Sequence, residues 1–229
     1  KGNKLVNKHK IWEYVENIET QFHNLSDRVW ETPETCYMEY KSMKEHLSEL
    51  ENNEFKVTKG IAGMPTAFAG EIGSGGPVIA FLGEYDALAG LSQHSDIFHK
   101  KAIKQGANGH GCGHNLLGSA ALQAAVALKN WMNDTNTTGT VRYYGCPAEE
   151  GGAAKTFMVR ENVFSDVDIA ITWHPGCIAG VVKGSSLANC RVDFTFEGKS
   201  SHAAGAPHLG RSALDAVELM NIGANYMRE

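Results

Sequence analysis

Cys112 and His114 stand two residues apart in GHGCGHN (109–115), a glycine-rich turn immediately before a long apolar segment. A turn of this kind lets the backbone bring a thiolate and an imidazole onto one ion, and the N-terminus of a following helix favours the thiolate. Taken alone, the pair also reads as a buried structural cysteine beside a surface histidine. Three other places add donors from afar: PVIAFLG runs into Glu84, Tyr85 and Asp86, TVRYYGC runs into Pro147, Ala148, Glu149 and Glu150, and DIAITW runs into His174 and Pro175. Thiolate, imidazole and carboxylate together make a donor set for Zn²⁺ or Mn²⁺ and do not suit an all-oxygen calcium site. Consecutive glutamates in a turn point different ways, so one can ligate a metal while the other acts as general base on a metal-activated water. The competing reading of PAEEGG, a solvated acidic loop, is weakened by its small, uncharged flanks.

Such distant groups converge only if something aligns them. The three runs that precede them are short and apolar, as buried strands are, and in open α/β sheets ligand groups collect at the carboxyl ends of strands. FKVT and TAFAGEI are two further strands, and helices are expected over Leu116 to Met132 and Lys155 to Arg160. Apolar strands alternating with helices predict an α/β fold whose sheet is covered on both faces. Ile11, Val15, Ile18, Phe22, Leu25 and Val29 recur at spacings of three and four, one amphipathic helix stopped by Pro33, and Tyr40, Met43, Leu47 and Leu50 mark a second. GSGG (73–76) joins two strand-like runs, with no helix and no Lys-Ser/Thr pair after it, so it reads as a turn rather than a phosphate loop. After Gly184 the texture changes. SLANCRVDFTFEG alternates Val192, Phe194 and Phe196 with polar residues, which predicts a half-exposed antiparallel strand, followed by a histidine-bearing loop and a helix from about Ser212.

Composition narrows the function classes. With 229 residues, 42% of them hydrophobic and 21% charged, the chain is neither disordered nor collagen-like. A net charge of -5 with scattered basic residues argues against nucleic acid as a partner. No apolar run approaches the ~20 residues that span a bilayer, and KGNKLVNKHK lacks the apolar core of a signal peptide, so no membrane association and a cytoplasmic location are expected. Five cysteines, an odd and scattered set, fit reduced thiols, with Cys36, Cys146, Cys177 and Cys190 as small core residues. His9, His23 and His46 are expected exposed on amphipathic helices, His94 and His99 lie in a polar insertion, and His110 is a reserve ligand.

GEYDAL, GHGCGHN, CPAEEGG, TWHPG and GKSSHAAGAPHLGRSALDA, in that order, resemble the successive blocks of the M20 family of metallopeptidases and amidohydrolases, in its amidohydrolase branch. The resemblance covers essentially the whole chain. It implies a zinc-peptidase-like three-layer catalytic domain with a mixed sheet, here the N-terminal part over 1–184, and the incomplete beginning of an α+β lid and dimerisation domain over 185–229. It implies Cys112, His114, Glu150 and His174 as ligands of two divalent ions, Mn or Zn, with Cys112 bridging and Glu149 as the base. Asp86 then orients a ligand imidazole, unless it merely caps a turn. His202 would stabilise the oxyanion in a neighbouring subunit's site, unless it makes only local backbone bonds. Asn115, His208 and Arg211 are candidates for binding substrate. The implied reaction is hydrolysis of an N-acyl amino acid amide, an aminobenzoyl-glutamate or a related N-acyl or dipeptide substrate, by a homodimer with a second subunit as a possible partner. One departure stands out: the family's fifth ligand is a histidine far along the chain, and no histidine follows His208. The chain is therefore expected to be an N-terminal portion, ending inside a helical pattern. The alternatives are a non-catalytic metal-binding or regulatory subunit, and a Cys112 nucleophile with His114 as its base, which leaves the PAEE and HP blocks without use.

Overall fold

Five short apolar runs become five strands of one sheet: β1 (Lys56–Lys59), β2 (Phe68–Ser74), β3 (Val78–Gly83), β4 (Gly139–Gly145) and β5 (Ile169–Ile171). The computed structural model describes residues 8–181 and 183–228. The order is β1-β2-β4-β3-β5, with β1 and β2 antiparallel to their neighbours and β4, β3 and β5 mutually parallel. Gly83 pairs with Gly145, so β3 and β4 end level, and the parallel β5 ends at Ile171 opposite Phe81, so all three run out at the same end of the sheet. The GSGG turn carries the chain from β2 to β3 on the far side of β4.

Strand alternation divides the core into two layers. Phe68, Phe81, Val141 and Tyr143 face one side, where they pack with Phe22, Leu25 and Val29 of α2 (Glu19–Trp30), Leu47 and Leu50 of α3 (Tyr40–Asn52) and Leu122 and Val126 of α4 (His114–Thr135). Ala80 and Tyr144 face the other side, with Ala154 and Met158 of α6 (Ala154–Arg160). Each fully buried Leu, Val or Phe contributes about 1.5–3 kcal/mol, so both faces of the sheet are committed to packing and only its edges can carry polar chemistry.

The first amphipathic stretch is two helices rather than one: α1 (Lys8–Glu16) and α2 are separated at Ile18, whose backbone leaves the helical region at φ -116° and ψ 5°. The apolar spacing continues across the break, which hides it from periodicity. α5 (Glu149–Gly152) is a single turn between two left-handed alanines, Ala148 (φ 55°) and Ala153 (φ 50°).

The chain divides into two compact units, Lys1–Ala179 and Gly180–Glu229. In the second, an isolated bridge pairs Lys199 with Arg211, a turn of 3-10 helix spans Pro207–Leu209, and Ser212 caps α7 (Ala213–Tyr226) by accepting a hydrogen bond from the Asp215 backbone at 3.1 Å. The strand expected in SLANCRVDFTFEG does not form: residues 183–198 have no regular structure, and Val192 and Phe194 are exposed. A lone strand is not stable without a ladder, and among the described residues of this unit no strand pairs with it.

Candidate metal centre

β3, β4 and β5 deliver their following residues to one edge, and α4 supplies the fourth element. Gly113, in the left-handed conformation at φ 83°, separates Cys112 from His114 at the start of α4, and a side chain there would stand 3.0 Å from Pro175. His114 is wholly buried. Its Nδ1 lies 2.9 Å from Asp86 Oδ1 and 3.1 Å from the Asp86 carbonyl, both acceptors, so Nδ1 carries the proton. Nε2 is the nitrogen left to take up a cation, and it faces Glu84 Oε2 at 3.0 Å, with Glu149 Oε2 at 3.8 Å and Glu150 Oε1 at 3.9 Å.

His174 repeats the pattern. Trp173 Nε1 donates to the Leu117 carbonyl at 3.1 Å and anchors the segment, His174 Nδ1 donates to the Pro175 carbonyl at 2.8 Å, and Nε2 is left 3.2 Å from Cys112 Sγ. The donor atoms of Cys112, His114 and His174 lie within 4.8 Å of one another, as do those of Glu84, His114 and Glu149. The two trios share His114.

Asp86 ties the site together. Wholly buried, it holds His114 through one oxygen and accepts the Glu150 backbone N–H through the other at 2.9 Å. Burial alone would raise its carboxyl, but the hydrogen bonds from His114 and the Glu150 backbone hold it below the usual range. Burial would lower His114, but the bond to Asp86 and the charges of Asp86, Glu84 and Glu150 raise it instead. The Glu149 carboxyl, nearly half exposed, is raised by burial and by the Glu84 charge, the direction that suits a proton acceptor working near neutrality.

The expectation that the start of α4 favours a Cys112 thiolate fails. Burial, a hydrogen bond with Glu150 and the charges of Glu150, Glu149 and Glu84 push this thiol up to about 12. Three carboxylates outweigh one helix terminus, so only an added cation makes it a thiolate. The nucleophile reading fails with it, since the imidazole beside Cys112 is His174 and His114 is committed to Asp86.

His114 Nε2, Glu84 Oε2 and Glu150 Oε1 are buried and have no hydrogen-bond partner. Acceptor facing acceptor costs free energy unless a positive group lies between them. Imidazole, carboxylate and thiol donors in this arrangement fit a divalent ion.

Several candidates lie elsewhere. Asn115 is buried against α2, its amide donating to Ser26 Oγ at 2.9 Å. His110 is buried on the Val29 carbonyl at 3.1 Å and stacks on Trp30. His202, His208 and Arg211 belong to the second unit, where His202 Nδ1 accepts the backbone N–H groups of Ala204 and Gly205 at 3.3 and 2.9 Å. None of the five cysteines forms a disulfide, but Cys177 and Cys190 are exposed, against the expectation of core positions.

Glu39 had no role in the sequence reading, and Glu84 stood there only among the polar residues that follow β3. Glu84 and Asp86 are two apart in extended chain and so face the same way, while Tyr85 between them faces the core. That parity was the available signal. Glu39, 109 residues before Ala148, is wholly buried and accepts the Ala148 backbone N–H at 2.9 Å, which steadies the left-handed residue that aims the glutamate pair.

No family model matches the chain. It is 51% identical over 215 residues to a p-aminobenzoyl-glutamate hydrolase subunit of Escherichia coli, covering 94% of this chain and 45% of that one. In fold it is similar to an aminobenzoyl-glutamate utilization protein of Klebsiella pneumoniae, with a TM-score of 0.59 at 17% identity over 90% of this chain and 57% of that one. A Bacillus subtilis protein, a dinuclear metal-binding peptidase of the M20 family, aligns with a TM-score of 0.54 at 24% identity, over 68% of this chain and 42% of that one. The chain thus spans about half the length of the curated relatives it matches. With five motif blocks in order, four of them brought together in the first unit by the parallel strand ends and the start of α4, and 51% identity over 94% of the chain to a hydrolase subunit, the chain belongs to the M20 family of metallopeptidases and amidohydrolases.

Proposed function

We propose that this chain is the metal-binding part of an amidohydrolase that cleaves N-acyl amino acids, p-aminobenzoyl-glutamate or a related N-acyl or dipeptide amide. The observation that carries the reading is the set of buried, unpartnered acceptors, His114 Nε2, Glu84 Oε2 and Glu150 Oε1, beyond the carboxyl ends of the parallel strands. Cys112, His114, Glu150 and His174 would hold two divalent ions, Mn²⁺ or Zn²⁺, which when bound polarise an amide carbonyl and lower the pKa of water. Asp86 fixes the His114 tautomer that leaves Nε2 free to ligate. Glu149, the more exposed of the glutamate pair and raised in pKa, takes a proton from the attacking water and returns it to the leaving amine as the C–N bond breaks. In the same reading His202 stabilises the oxyanion in a neighbouring copy of a homodimer, His208 and Arg211 pair with a substrate carboxylate, and a second subunit is a further partner, as the name of the Escherichia coli relative indicates for that protein. No helix among the described residues is long and apolar enough to cross a membrane. Removal of a general base costs about 10²–10⁴ in rate. Purified Glu149→Ala protein should retain its metal and lose hydrolysis of p-aminobenzoyl-glutamate by that factor, whereas a loss of only a few-fold would remove Glu149 from this role.

A further inference from the structure

The geometry points to Glu84 as an additional carboxylate ligand of the metal centre, with Lys155 holding its second oxygen. This rests on the reading of the site as a metal centre. Glu84 directly follows β3, whose last residue is in register with the last residue of β4. The side chain is more than nine-tenths buried, yet its two oxygens differ in their surroundings. Oε1 is paired with the Lys155 ammonium of α6. Oε2 has no hydrogen-bond partner and lies 3.0 Å from His114 Nε2, inside the trio of donor atoms with Glu149.

A purely structural ion pair would leave no oxygen bare, because an unpaired buried carboxylate oxygen is costly. Charge points the same way. Glu84, Asp86, Glu149 and Glu150 crowd around one imidazole, and among the described residues Lys155 is the lysine paired with one of them. Lys155 occupies one lobe of the Glu84 carboxylate and turns the other toward the centre, so that Glu84 binds through a single oxygen. Both atoms that set this up come from the first unit, so the centre gains an oxygen donor beyond the four ligands the motifs imply. An added oxygen donor matters more to Mn²⁺ than to Zn²⁺, which accepts nitrogen and sulfur readily.

The test is calorimetric titration of chelator-treated, full-length protein with Mn²⁺ alone and then Zn²⁺ alone, with circular dichroism as the check on folding. Native protein, Glu84→Gln, Lys155→Met and the double variant, which removes the ion pair as a unit, are compared. Glu84→Gln and the double variant should bind Mn²⁺ at least about tenfold more weakly, with a smaller loss for Zn²⁺, while Lys155→Met, which removes the group that holds the far oxygen but keeps the ligand oxygen, loses affinity by a clearly smaller factor. A folded double variant with native Mn²⁺ affinity would overturn the proposal, as would a loss in Lys155→Met equal to that in Glu84→Gln, the signature of a structural pair. Native protein that binds neither ion would overturn the metal-centre reading itself, and this inference with it.

Discussion

His46 and His114 are both wholly buried imidazoles, and they titrate in opposite directions. His46, on α3, donates from Nδ1 to the Ser42 carbonyl and lies among rings: Tyr143 stacked at 6.0 Å, Tyr85 at 5.2 Å and Phe68 at 6.4 Å. Burial lowers it to about 4. His114 is bracketed by Glu84 and Asp86 and is raised despite its burial. The residues between the two regions are three consecutive ones, with Glu84 and Asp86 turned to His114 and Tyr85 turned to His46. Burial by itself therefore makes a core histidine. Carboxylates placed by strand alternation make one that attracts a cation.

The largest effect that sharpens this contrast is on acid stability. Unfolded histidine titrates near 6.5, whereas folded His46, like the buried His110, binds a proton only near 4. Between these values the unfolded chain holds more protons, so stability is full above about pH 6.5, falls as the pH drops, and loses up to about 3 kcal/mol per histidine by pH 4. Denaturant titrations of chelated His46→Phe protein across this range should show the acid loss reduced by about that amount, whatever the substitution does at neutral pH. An unchanged acid limb would break the comparison on the His46 side.

Next in size is Asp86→Asn, which keeps the shape and removes the charge that fixes His114. Metal affinity should fall about 10- to 100-fold, read by titration against a competing chelator. Unaltered affinity would mean that His114 needs no carboxylate to orient it. The smallest effect is expected from Gly113→Ala. A non-glycine residue in the left-handed region costs about 1–2 kcal/mol, and the new methyl would meet Pro175, so Tm should drop by a few degrees with metal affinity reduced less than in Asp86→Asn.

Most of the first unit was legible because its strands are apolar runs with hard ends. The parallel group β3, β4 and β5 forced three of the donor-bearing segments to one edge, which their sequence positions alone conceal. What stayed hidden depends on partners. His46 looked exposed because its helix reads as a narrow stripe, yet Ser42, His46 and Glu49 join Leu47 and Leu50 in a wider buried face. Glu39 acts across 109 residues on a backbone N–H, which leaves no local pattern. The alternation after Gly184 was real but without a ladder to join among the described residues. The break at Ile18 preserves the apolar stripe, so periodicity could not see it.

The central claim is that the unpartnered donors at the sheet edge hold divalent ions that support amide hydrolysis. Metal content of the purified full-length protein, measured together with p-aminobenzoyl-glutamate hydrolysis before and after chelation, tests it most directly. About two equivalents of metal per chain, with activity lost to the chelator and restored by Mn²⁺ or Zn²⁺, is the predicted result. Hydrolysis that survives complete removal of metal, or a protein that binds metal without hydrolysing any N-acyl amino acid, would contradict it.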